Sequence, residues 1–81
     1  MDKNRLYWAS RRGMLELDLL LSPFLDHHFD ALEDEDKQRY ERLLEEQDPD
    51  LFQWLMNGVK PDDADLKRIV DIIIDKCVGS A

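Results

Sequence analysis

The amino-acid sequence predicts an all-α protein, a compact bundle of about five short helices. No window sustains the alternation of apolar and polar residues that a half-buried strand needs, and β-branched residues are scarce before the last quarter of the chain. Apolar residues instead recur at helical spacing in short blocks, and these blocks are separated by helix start and stop signals such as Gly13, Asp48-Pro49-Asp50, Asn57-Gly58 and Pro61.

The first block predicts a helix from about Lys3 to Arg12, in which Arg5, Trp8 and Arg12 fall on one side. Gly13 ends it, since glycine readily takes the left-handed conformation that often closes a helix. A second helix follows from about Met14 to Ser22 or beyond. Leu17, Leu20 and Leu21 form its apolar stripe, and Glu16 and Asp18 near its start suit the positive end of the helix dipole. Pro23 either opens a new helical segment or kinks this one, and a bend is expected between Ser22 and Leu32. The acidic run Glu33-Asp34-Glu35-Asp36 opens a third helix reaching about Glu46, with Tyr40, Leu43 and Leu44 inward. Those charges need no functional explanation.

Asp48-Pro49-Asp50 starts a short fourth helix, with Asp48 as N-cap and Pro49 at the first helical position. Its inward face is Leu51, Trp54 and Leu55. The last helix is predicted over about Asp63 to Val78, where Leu66, Ile69, Val70, Ile73 and Cys77 make the clearest stripe in the sequence.

A chain of 81 residues has room for one domain, 1–81, and not for two. Its 43% hydrophobic content is too high for the disordered class. A single cysteine, Cys77, offers neither an intramolecular disulfide nor a metal-binding pair, and is expected in the core. The longest aliphatic runs fall far short of the roughly 20 residues needed to span a bilayer. No membrane insertion is expected, and a soluble cytoplasmic protein, monomeric when free, fits this composition.

The net charge of −8 argues against nucleic acid or an anionic membrane as a partner. Residues 1–13 nevertheless carry +3, leaving −11 on the remaining 68. Taken alone, that asymmetry is better read as ordinary surface solvation than as a binding role. His27 and His28 are adjacent and would point about 100° apart on a helix, which suits one metal ion poorly. No nucleophile with a base, no phosphate loop and no dinucleotide fingerprint can be assembled, so an enzyme has no support. The unusual segment is Arg11-Arg12-Gly13-Met14-Leu15-Glu16-Leu17-Asp18. A helix stop followed by dipole partners explains it locally. Yet Arg5, Trp8 and Arg12 are residue types enriched at interface hot spots, which makes this the best candidate for a binding surface.

The same residues resemble a known family. Arg12-Gly13-Met14-Leu15-Glu16 matches the R-G-x-x-E signature of the SdhE-type FAD assembly factors of succinate dehydrogenase. Pro23-Phe24, Asp48-Pro49-Asp50-Leu51-Phe52-Gln53-Trp54-Leu55 and Lys60-Pro61 follow in that family's order, so the resemblance covers nearly the whole chain. It implies a five-helix bundle that grips the flavoprotein subunit of succinate dehydrogenase, and in bacteria also that of fumarate reductase. There the factor promotes linkage of FAD, through a flavin methyl carbon, to a histidine of the client. The FAD belongs to the client, and none is expected to bind stably to this chain. The motif residues carried over are Arg12, Gly13 and Glu16, with Arg5, Trp8, Arg11, Met14 and Asp18 as neighbouring partner-binding residues. The lack of a mitochondrial targeting segment points to a bacterial cytoplasmic member. A different interaction module, such as a toxin-neutralising partner, is the alternative that the acidic composition allows.

Overall fold

In a computed structural model that describes residues 3–11 and 13–77, apolar spacing and helix-end chemistry set five α-helices. They are α1 (Lys3–Ser10), α2 (Leu15–His27), α3 (Asp34–Leu43), α4 (Asp48–Met56) and α5 (Ala64–Cys77), with a 3₁₀ turn at Phe29–Ala31 between α2 and α3. The expected helices are therefore present, with corrected ends. The first stops at Ser10, ahead of Arg12, which lies outside the described residues. The third stops at Leu43, short of Glu46.

Pro23 neither starts nor ends an element. It sits inside α2, which continues to His27, and the expected bend falls after it, where the His28 N–H still donates to Phe24 O at 2.8 Å before the 3₁₀ turn. Asp48 is not the cap of α4. Gln47 holds that position without a side-chain bond, while Pro49 does lie in the first turn, where its missing N–H costs nothing. The left-handed glycine among the described residues is Gly58, with φ 75° just past α4, and the Val59 N–H beyond it returns to Gln53 O at 3.1 Å. Asp63 precedes α5 and acts as its cap: its Oδ1 accepts the N–H groups of Asp65 at 2.8 Å and Leu66 at 3.2 Å.

The core collects Leu17, Leu20, Leu21, Phe24 and Leu25 from α2, Tyr40 and Leu43 from α3, Leu51 and Leu55 from α4, and Leu66, Ile69, Val70 and Ile73 from α5. Leu6, unremarked in the sequence, joins them. Trp54 and Cys77, both expected inside, are only half-buried at its edge, as is Leu32, and burial pushes the Cys77 thiol pKa up. Tyr40 is fully enclosed, with ring centroids 5.4 Å from both Phe24 and Phe29. Such aromatic pairs add about 0.5–1.5 kcal/mol beyond the area they bury.

The acidic start of α3 is more than a solvated face. Asp36 is 5% exposed, and its carboxylate accepts from Arg39 Nη1 at 2.8 Å and from Arg68 Nε and Nη2 at 2.8 and 3.2 Å. Arg39 also donates to Asp65 at 2.9 Å, and Arg42 pairs with Asp63. Along α3 the pairs ascend while along α5 they descend, which is the pattern of two antiparallel helices zipped by charge. The Arg68 hydrogen bond, helped by Arg39 and opposed by burial, holds the Asp36 pKa below its ordinary value.

Asp36→Ala is expected to lower stability by about 1–3 kcal/mol at neutral pH, less than for a wholly buried pair because Arg68 remains largely in solvent. A depressed native pKa means that this contribution is full above the unfolded value of 3.8 and is lost as pH falls through the native one. The difference in melting temperature between wild type and Asp36→Ala should therefore shrink between about pH 7 and about pH 3. A difference that stays constant would show that the carboxylate's charge contributes nothing.

Candidate functional site

An eight-residue helix is too short to be stable alone, so α1 must be held by what it buries. Two of its side chains, Leu6 and Ser10, are buried and lie one turn apart, and Ala9 packs partly against the core. Ser10 Oγ and the Tyr40 hydroxyl share a hydrogen bond of 2.8 Å, which gives both buried polar groups a partner. With that face fixed inward, Arg5, Tyr7 and Trp8 are turned to solvent, Trp8 at 64% exposure. The Arg11 guanidinium lies over the Trp8 ring at 5.9 Å, and Tyr7 meets Trp8 edge to face at 5.9 Å. The aromatic expected between Arg5 and Arg12 thus has Arg11 against its ring, within the range of a cation–π contact worth about 0.5–1 kcal/mol at an exposed site.

Beyond Ser10 the chain turns toward α2. The Gly13 N–H donates to Asp48 Oδ2 at 3.1 Å, across 35 residues of sequence. The carboxylate read as a local helix cap therefore pins the α1–α2 corner to the start of α4. A Cβ placed on Gly13 would meet Asp48 Oδ2 at 3.6 Å, an ordinary contact. A methyl group fits there, while a longer side chain must run past the carboxylate.

Met14 follows in extended backbone, φ −89° and ψ 123°, half-buried against the core. Glu16 and Asp18 occupy the first turn of α2 as expected, where the dipole favours their charge. Glu16 is exposed and Asp18 half-buried. The fold thus joins Trp8 to Arg11 and sets Arg11 and Asp18 along one groove, with Gly13 and Met14 in the turn between the helices, Glu16 on the neighbouring groove and Arg5 exposed on α1, while Arg12 lies outside the described residues. Two shallow grooves flank this corner. One, of about 340 Å³, is lined by Tyr7, Arg11, Asp18, Leu19, Ser22 and Pro23. The other, of about 270 Å³, is lined by Glu16, Leu19, Leu20 and Met56. A larger groove of about 590 Å³ runs along α5, away from this corner, between charged residues of both signs such as Lys67 and Asp71.

Sequence reasoning missed Asp48 as a clamp, Ser10 as an anchor, and Tyr7, Leu19 and Met56 as surface groups. Nothing local marks a contact that spans the chain. The rings of His27 and His28 lie 6.5 Å apart and edge to face, with His28 tilted against Phe24 at 5.8 Å. Among the described residues, no three His, Cys, Asp or Glu side chains are grouped to hold a metal ion.

Comparison with known proteins gives this corner a context. Residues 4–77 match the family described as flavinator of succinate dehydrogenase, Sdh5. The chain is 53% identical over 75 residues to the FAD assembly factor SdhE of Pseudomonas aeruginosa, which covers 93% of this chain and 89% of that protein. It is also 51% identical over 72 residues to the proteins of that name from Pectobacterium atrosepticum and Serratia sp., covering 89% of this chain and 82% of each of them.

Replacing Asp48 by Ala removes the acceptor of the Gly13 amide. The expected cost is about 0.5–1.5 kcal/mol, and the Gly13 amide proton should exchange with solvent faster than in wild type. Unchanged protection of that amide in hydrogen-exchange NMR would show that the corner is held by other contacts.

Proposed function

The chain belongs to the family of flavinators of succinate dehydrogenase, and from that premise we propose that it binds the flavoprotein subunit of succinate dehydrogenase through the α1–α2 corner and so promotes covalent attachment of FAD. The observation that carries the assignment of the surface is the Gly13–Asp48 hydrogen bond, which fixes a corner bearing Trp8, Arg11 and Glu16 on the outside. Trp and Arg are the side chains that most often dominate binding energy. A corner already held in place loses little conformational freedom on docking. Opposite charges on Arg11 and Glu16 would set the orientation of the client.

The helper's part in the chemistry is positional. By binding one arrangement of the client more tightly than others, it raises the population in which the flavin and its acceptor side chain are in reach of one another. The FAD is held by the client, and the bond-making groups are the client's and the flavin's. This chain contributes Arg5, Trp8, Arg11, Arg12, Gly13, Met14, Glu16 and Asp18 as contacts, with Arg12, Gly13 and Glu16 central. The related flavoprotein subunit of fumarate reductase is a second client, and the free factor is a cytoplasmic monomer. No described helix is long and apolar enough to cross a membrane. The relatives compared are all named FAD assembly factors, which lends no support to a toxin-neutralising role.

The test is reconstitution. Apo flavoprotein subunit incubated with FAD should gain covalent flavin, read as fluorescence of the denatured subunit in a gel, faster with this chain than without it. Glu16→Ala should weaken binding to the apo subunit by roughly thirty- to several-thousand-fold, the loss expected when one member of a desolvated charged pair is removed. Gly13→Arg should do the same by sending a long side chain past Asp48 into the interface. If Glu16 serves only the helix dipole, its replacement costs about 0.3–1 kcal/mol of stability. A Glu16→Ala protein that melts lower yet binds and flavinylates normally would remove Glu16 from the docking face.

A further inference from the structure

The side of α2 that faces the core is fully used, yet Leu15 and Leu19, one turn apart on its outer side, are 66% and 68% exposed. Leu19 forms the ridge shared by the two grooves beside the corner. The groove between α2 and α4 is walled by Leu19, Leu20 and Met56, with the single carboxylate of Glu16 at its edge. Scattered exposed apolar residues are ordinary on protein surfaces. Here they form a concave strip next to a residue of the proposed docking face, and the core does not need them.

We infer that this groove seats one apolar side chain of the flavoprotein client, next to a client Lys or Arg that meets Glu16. The inference rests on the proposed docking face and extends it from the α1–α2 corner onto α4. Three observations select the occupant. Its walls are the aliphatic and thioether groups of Leu19, Leu20 and Met56, so what it can cover is an apolar side chain. Glu16 is the one charged residue that lines it, so a basic neighbour is attracted there and an anionic lipid surface repelled. A second copy in a two-fold contact would set the same patch against itself, Glu16 carboxylates included, and join two chains of charge −8. Glu16 itself supplies the continuity, since it lines the groove and belongs to the signature on which the docking face was assigned.

Leu19→Ser tests this in the full chain, with Leu19→Met as the conservative control. Binding to the apo flavoprotein subunit, measured by calorimetry, should weaken roughly ten- to a hundred-fold for Leu19→Ser and stay near wild type for Leu19→Met. The melting temperature of Leu19→Ser should move by no more than about 4 °C, because the side chain is exposed. Normal binding by Leu19→Ser alongside impaired binding by Glu16→Ala would overturn the groove inference and leave the proposed function standing. Normal binding by both would overturn the docking face itself. Wild-type chain that dimerises in sedimentation equilibrium, and becomes monomeric with Leu19→Ser, would make a second copy the occupant and overturn the inference as well.

Discussion

The hydrogen bond between Ser10 and Tyr40 is the constraint on which the outer surface depends. Among its described side chains α1 buries Leu6 and Ser10, of which the latter is polar, and Ala9 in part. A buried hydroxyl without a partner would cost about 1–3 kcal/mol. Tyr40 removes that cost, and being itself enclosed by Phe24 and Phe29 it offers the hydroxyl in a fixed place. Once Ser10 faces inward, helical geometry leaves no choice about Tyr7 and Trp8. The corner can be rigid because its anchor is in the core.

A second constraint holds the far side of the molecule. With 37% of its residues charged, the chain cannot cover every helix seam with apolar groups, and it closes the α3–α5 seam partly with ion pairs. Exposed pairs such as Arg42 with Asp63 contribute little individually. Asp36 differs because water is excluded from it while two guanidinium groups satisfy its oxygens. An arrangement of this kind penalises any other register of α3 on α5, since a shift would leave the Asp36 carboxylate buried without its arginines.

These two constraints divide the labour of the fold. Zipping α3 to α5 builds a platform around Tyr40. Tyr40 from that platform and Asp48 from the start of α4 then hold the α1–α2 corner at Ser10 and Gly13. The exposed residues of the corner are thereby separated from those that carry stability, so the surface is free to vary in chemistry without endangering the core. α2 shows the division within one helix: Leu17, Leu21 and Phe24 are fully buried, while Leu15, Glu16 and Leu19 look outward.

The sequence by itself determined the all-helical class, the number of helices and most of the core, because helical periodicity and the chemistry of helix ends are local properties. It also determined which segment to watch, since Trp8, Arg11, Arg12, Gly13 and Glu16 stand close together in the chain and carry a recognisable signature. Local rules assigned other residues wrongly for the same reason. Asp48 beside Pro49 has the form of a cap, and nothing in the acidic run marks Asp36 as buried. Their partners, Gly13 and Arg68, stand 35 and 32 residues away, and no periodicity links them. Only the tertiary structure decided that Asp48 holds the corner, that Asp36 is buried, and that Leu19 and Met56 share an open groove. Each of these is a contact between helices, fixed by how the helices pack.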